Sequence, residues 1–379
     1  MQIISYKYDH EFDEDTYSIE ETKFGKFNLL VGDTGTGKTR LLNTIYHLCS
    51  FITNDKTEAR AGHWNVTFKV ADNTYKLHLE VKKDLDTGNL IITNDHLCQL
   101  NNNHETVIIH RTQDEFVFNG MKMPKLPSNK PSIGLLHEEE VIKPIYRSFS
   151  YILRRRFSQD GLDLVCGIQA LPQYLLAPSR EELSLEKIFS MELLLNVKLY
   201  LLSELFPDIF INICNYYKNI FPFIVDTKIY DFTYLHTKVS ATSRIPVFCI
   251  KEKGINKWME LAELSSGMQK VLLILTDIHT LPQDGIYLID EYENSLGINA
   301  INFFPEIVSN INTNAQLFVT SHHPYIINNV PIKNWYVFHR KGSIINIQYG
   351  DKLVEKYGKS KQQAFINLIN DPFYKDGIE

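Results

Sequence analysis

The apolar positions of this chain change period several times, and each change marks a different kind of element. Through residue 31 the pattern is one of strands and turns, ending in the apolar run Phe27 to Val31, which stops at a glycine-rich loop. The spacing after that loop predicts a helix from Thr39 to about Phe51. From Trp64 to Gly120 apolar and polar residues alternate and β-branched residues are frequent, as in HWNVTFKV, YKLHLEV and ETVIIHR, with turn residues between the runs. That region, about 64–120, is expected to be an antiparallel sheet. The three prolines of MPKLPSNKPS mark a loop, and a helix is expected from about Glu138 to Leu153. A leucine-rich pattern between Ser184 and Ile220 predicts helices, and shorter strands return between Phe221 and Ile250. The final third alternates helix and apolar strand: a helix after Ser265, a strand Ile286 to Ile289, a helix around Ile298 to Val308 and a strand Gln316 to Thr320. Alternation of this kind predicts a mainly parallel core sheet covered on both faces.

Composition narrows the class. With 379 residues, 44% hydrophobic and 22% charged, the chain reads as a soluble globular protein of one large domain or two ordinary ones. It contains no apolar run of the roughly 18 residues that a membrane helix needs, and its first residues lack the pattern of a signal peptide, so a cytoplasmic protein is expected. Five cysteines, odd in number and without CxxC spacing, argue against a disulfide framework or a zinc site and are expected to be small buried hydrophobes. A net charge of -6 disfavours broad nucleic-acid binding. The one basic run, Arg154-Arg155-Arg156, is read first as a solvated helix end and second as a DNA contact.

Four segments carry candidate chemistry. Gly32-Asp33-Thr34-Gly35-Thr36-Gly37-Lys38-Thr39 fits GxxxxGK[ST] between an apolar strand and a helix, the context in which backbone N–H groups curl around phosphate oxygens. There Lys38 is expected to reach the β and γ phosphates of ATP, Thr39 to ligate Mg²⁺, and Arg40 to border the same site. Gly285-Ile286-Tyr287-Leu288-Ile289-Asp290-Glu291 brings two carboxylates to the end of a buried strand, Asp290 for the metal and Glu291 to activate water. A third strand ends in Ser321-His322-His323-Pro324; register favours His322 as the residue that reports on the γ phosphate, whereas His323 is read as an ordinary surface or core residue. Finally Leu264-Ser265-Ser266-Gly267-Met268-Gln269-Lys270 opens a helix about twenty residues before the acidic strand. It offers a hydroxyl and free amides to an anion, although alone Ser265 would pass for a plain N-cap.

In order, GDTGTGKT, LSSGMQK, IYLIDEYENSLG and FVTSHHP resemble the Walker A, signature, Walker B with D-loop, and switch-histidine motifs of ABC-type ATPases. Within that class the chain is most similar to stand-alone AAA/ABC ATPases related to the overcoming-lysogenization-defect (OLD) family, on the LSSGM, ENSL and TSHHP forms of the motifs and the YLLAPSR segment ending at Arg180. The resemblance implies an α/β P-loop NTPase of the ABC ATPase type, with a mainly parallel core sheet, an antiparallel β subdomain and a helical lobe. It implies a single ABC-type domain over 1–379: a nucleotide-binding lobe at 1–180, a helical and mixed insertion at 181–262, and a lobe at 263–379 with the signature, Walker B, D-loop and switch histidine. It further implies ATP and Mg²⁺ as cofactors and a homodimer or higher homo-oligomer in which Ser265, Ser266 and Gly267 of one copy close on the nucleotide held by the other, with Ser295 and Leu296 in the D-loop between them. Ser266 and Met268 stand where transporters carry glycine and glutamine; the sequence does not identify the Q-loop glutamine, for which Gln173 is a candidate and Gln169 a weaker one, either being equally readable as a loop residue. Only about fifty-five residues follow the switch histidine, too few for the TOPRIM nuclease domain of OLD proteins. The resemblance implies, as partner, a separately encoded effector, a TOPRIM or HNH nuclease or a toxin, in prokaryotic antiphage defence, with DNA binding possible but not required and no membrane. The alternative is a repair-type ATPase of the RecF or SMC kind acting directly on DNA.

Overall fold

The computed structural model describes residues 1–379 apart from 13–14, 86, 102–103, 157–164, 173–174, 176–182, 238–242, 295, 298–300, 302–314, 359 and 379. The chain divides into two compact units, one of Met1–Arg154, Gln283–Asp290 and Thr313–Glu379, the other of Arg155–Pro282 and Glu291–Asn312.

The first unit is built on a long mixed sheet. Its strands are β1 (Gln2–Phe12), β2 (Asp15–Lys23), β3 (Phe27–Val31), β4 (Gly62–Val70), β5 (Asn73–Lys83), β6 (Leu90–Asn101), β7 (His104–Thr112), β8 (Phe116–Phe118), β9 (Met121–Met123) and β10 (Ile152–Arg156). β11 (Ile224–Asp231), β12 (Pro246–Glu252) and β13 (Trp258–Glu260) form a separate sheet in the second unit, and β14 (Ile286–Asp290), β15 (Gln316–Thr320), β16 (Trp335–Lys341) and β17 (Ile344–Tyr349) return to the first. The order among described strands is β10-β14-β15-β3-β16-β17-β2-β1-β4-β5-β6-β7-β8-β9. The segment β14-β15-β3-β16 is parallel, and β14 and β15 are buried along their whole length, which is why Ile286–Ile289 and Leu317–Val319 are continuous apolar runs rather than alternating ones. From β4 to β9 the pairing is antiparallel and β4 alternates buried with partly exposed residues, so its apolar set faces the core. These antiparallel strands run from residue 62 to 123, slightly beyond the expected 64–120, and the pairing of β1 with β2 and with β4 extends the antiparallel part to the first strands of the chain.

Helix α1 (Lys38–Thr53) follows β3 and buries Leu41, Leu42, Ile45, Leu48, Cys49 and Ile52, a stripe at helical spacing. Each such side chain fully removed from water contributes about 1.5–3 kcal/mol. Helix α2 (Lys143–Ser150) packs on α1 and is shorter than the expected Glu138–Leu153 helix. Pro144 explains the start: it lacks an N–H and its ring would strike the carbonyl four residues back, so it is accommodated in the first turn only. The helix ends before Ile152, and Arg154-Arg155-Arg156 are strand residues of β10, not a helix end. Arg155 makes a two-point pair with Asp277 at 2.8 and 2.9 Å.

In the second unit, helices α3 (Leu195–Leu205), α4 (Pro207–Ile220) and α5 (Ser266–Thr280) accompany the sheet β11-β12-β13. Asn196 on α3 accepts a hydrogen bond from the Phe248 amide of β12, and the Tyr217 hydroxyl on α4 donates to the Met268 carbonyl of α5. From Met268 on, α5 is buried nearly all round. All five cysteines lie buried, and no described helix is long and apolar enough to cross a membrane. The helix expected around Ile298 to Val308 falls largely outside the described residues.

Candidate functional site

The parallel arrangement brings three strand ends to one edge of the first unit, because β14, β15 and β3 run the same way side by side. The loop from Gly32 to Gly37 leaves β3 there. Gly37 has φ 105°, a left-handed conformation, and a Cβ at that position would come within 2.4 Å of the Ile345 side chain. Gly32 has φ 156°, and a Cβ there would crowd Thr36 Oγ1 at 2.9 Å and Phe338 at 3.0 Å. The glycines of the motif are therefore required by the turn itself. Gly37 is the N-cap of α1 and provides no side-chain cap, so the first amides of the helix are left for an anion. Asp33, Thr34 and Gly35 are exposed on the loop while Thr36 is buried. The buried Lys38 turns its ammonium back onto the loop, donating to the carbonyls of Gly32 at 2.7 Å and Asp33 at 2.8 Å.

Asp290, buried at the end of β14, receives hydrogen bonds on one carboxylate oxygen from the hydroxyls of Thr39 (3.2 Å) and Thr320 (2.8 Å). The Thr39 hydroxyl and the Asp290 carboxylate, which meet here, would be the two side-chain ligands of a Mg²⁺ ion. One carboxylate and one hydroxyl, completed by phosphate oxygens and water, is the ligand set Mg²⁺ takes in nucleotide sites; the residues fit the ion. Thr320 is a partner that sequence reading missed. Its only signal is a hydroxyl that follows the apolar run Leu317–Val319 at the end of a buried strand. Arg40 is exposed, its guanidinium 4.7 Å from the centre of the Tyr17 ring. The far end of the chain backs the same loop: the Arg340 amide donates to the Gly377 carbonyl at 2.8 Å, and Ile378 lies against Gly35.

His322 stands exposed just past β15. His323 caps the short helix Pro324–Asn329, its Nδ1 accepting from the Tyr325 amide at 3.2 Å, the ordinary role expected of it. His47 lies buried on α1 between Phe51 and Trp64, with Nε2 on the Glu58 carbonyl and Nδ1 without a partner; burial lowers it to about 4.

Ser265, Ser266, Gly267 and Glu291 belong to the second unit. Ser265 is the N-cap of α5, its Oγ accepting from the Met268 amide at 3.4 Å, and Ser266 and Gly267 open the first turn. Ser265 and Ser266 are exposed. Glu291, also exposed, has φ 54°, a left-handed conformation that costs a residue other than glycine about 1–2 kcal/mol. The cost is offset by the wholly buried Lys270 of α5, whose ammonium donates to the carbonyls of Glu291 (3.3 Å), Tyr292 (2.6 Å) and Asn294 (2.6 Å). Burial lowers the Lys270 ammonium to about 7, against the pull of Glu293 and Glu291. Lys270 carried no role in the sequence reading. Ser295, Gln173 and Arg180 lie outside the described residues, and Gln169 accepts from the Leu194 amide, a structural use.

A strand ending in a glycine loop and helix, with a carboxylate and a hydroxyl meeting at the neighbouring strand ends, defines the P-loop ATPase fold, here in the form of SMC head domains. An Smc head bound to the C-winged helix domain of ScpA matches 92% of this chain and 97% of its own, with TM-score 0.52 and 10% identity. Two further heads align less well: an Smc head with an extended coiled coil bound to the C-terminal domain of ScpA, from Pyrococcus furiosus (TM-score 0.49, 10% identity, 94% of this chain and 98% of that one), and an SMC head from Thermotoga maritima (0.43, 12%, 92% and 99%). In sequence, residues 228–328 match the family described as "AAA domain, putative AbiEii toxin, Type IV TA system". That stretch holds α5, β14 with Asp290, and β15 with His322 and His323. No curated protein matches the chain.

Proposed function

We propose that this protein binds and hydrolyses ATP with Mg²⁺, dimerises around the nucleotide, and uses the ATP state to control a separately encoded effector. The observation that carries the reading is the meeting of Thr39 and Asp290 beside a phosphate loop whose glycines and free helix amides suit an anion. Lys38 leaves the carbonyls of Gly32 and Asp33 to pair with phosphate, Thr39 and Asp290 hold Mg²⁺, and Glu291 accepts a proton from the attacking water while His322 senses the γ phosphate. Mg²⁺ supplies charge neutralisation of the phosphates when bound. Ser265, Ser266 and Gly267 of one copy complete the site of the other, so ATP favours the closed dimer and hydrolysis releases it.

Control of an effector in antiphage defence, and kinship with OLD-family ATPases, are supported by the form of the motifs and by the toxin–antitoxin description of the family matched at 228–328. A second reading, action directly on DNA, draws support from the fold shared with SMC heads; the net charge of -6 weighs against it. Turnover of ATP by wild type and Glu291→Gln, with and without double-stranded DNA, separates them. The proposal expects turnover indifferent to DNA and reduced by about a hundredfold or more in the variant. Strong stimulation by DNA would favour the second reading, and full turnover by Glu291→Gln would remove that residue from the chemistry.

A further inference from the structure

Lys270 lies five residues into α5 from Ser265 and is wholly buried, and three backbone carbonyls, those of Glu291, Tyr292 and Asn294, converge on its ammonium at 3.3, 2.6 and 2.6 Å. An ammonium carries three donors on one atom, which suits three acceptors gathered around a point; a flat guanidinium or amide does not. The carbonyls belong to residues just after Asp290, and one of them belongs to Glu291 itself, held at φ 54°. A buried cation spent on backbone oxygens fixes the path of the chain, and here the path is that of the residue assigned to water activation.

We propose that Lys270 is a positioning residue for ATP hydrolysis: by clamping these carbonyls it sets the direction of the Glu291 side chain and makes the signature helix and Glu291 move as one piece. The inference rests on the assignment of Glu291 made above. Its consequence is a coupling between sites. Ser265 at the start of α5 answers to the nucleotide of the other copy, whereas Glu291 continues from Asp290 at the copy's own nucleotide. Through Lys270, engagement of Ser265 in one copy tightens Glu291 in the same copy, so that hydrolysis at each site waits for the other to be filled.

The test is Lys270→Met in the full chain, with kcat and KM from steady-state turnover and the affinity for a fluorescent ATP analogue measured separately. The expected result is a kcat about tenfold or more lower, with affinity within about threefold of wild type. In the Glu291→Gln background, followed by single-turnover hydrolysis, Lys270→Met adds no further loss, because both changes disable the same group. If Lys270→Met does not fold, Lys270→Gln, which keeps two donors, carries the test with the same expected signs. Unchanged kcat, a loss of affinity in place of kcat, or an equal further loss on top of Glu291→Gln would overturn the proposal. Wild-type turnover by Glu291→Gln alone would instead remove the reading on which it rests, so the two failures are distinguishable.

Discussion

Helices α1 and α5 both begin on a motif that offers amides to an anion, and they are capped in opposite ways. α1 starts at Gly37 in a left-handed conformation with no side chain on its first amides, and the nearby lysine is stored on carbonyls of its own loop. α5 starts at Ser265, whose hydroxyl already satisfies the Met268 amide. The first terminus gives up little to receive a phosphate. The second must exchange an internal cap, worth about 1 kcal/mol, for an external ligand. On the proposed function, one helix end is a standing phosphate site and the other a contact made only when two copies close.

The largest effect that follows falls on the standing site. Lys38→Ala should weaken ATP binding by about a hundredfold or more, read by equilibrium titration with a fluorescent analogue, since it removes the only cation of the loop and leaves the amides alone. If affinity falls less than tenfold, the loop carbonyls rather than phosphate are the lysine's true partners. A smaller effect belongs to α1 alone. His47, neutral and stacked between Phe51 and Trp64, is lowered to about 4 from 6.5. Between those values the unfolded chain takes up a proton that the folded one refuses. The fold thus keeps its full stability above about 6.5 and loses about 3 kcal/mol at most as pH falls to 4. Thermal unfolding at pH 7.5 and pH 5 should show a smaller drop for His47→Phe than for wild type; equal drops would place the acid sensitivity elsewhere.

Much of the candidate site was legible in sequence because phosphate chemistry would impose local spacing: the glycines at 32, 35 and 37, the lysine and threonine after them, and the aspartate closing an apolar strand all fall within single short motifs. The parallel core followed from the alternation of helix and apolar strand in the final third of the chain. What escaped reading depends on pairing across distance. Thr320 meets Asp290 only because β15 lies beside β14, and Lys270 binds backbone carbonyls, which leave no mark on residue identity. Pro144 did carry a local signal, and the helix expected to begin at Glu138 should have been started one residue before that proline.

The most direct test of the central claim is the molar mass of Glu291→Gln by light scattering with and without MgATP. A mass that doubles on ATP, and stays that of one chain when Ser265→Arg is added, is the predicted result. A mass indifferent to ATP, or doubling that survives Ser265→Arg, would contradict a site shared between two copies.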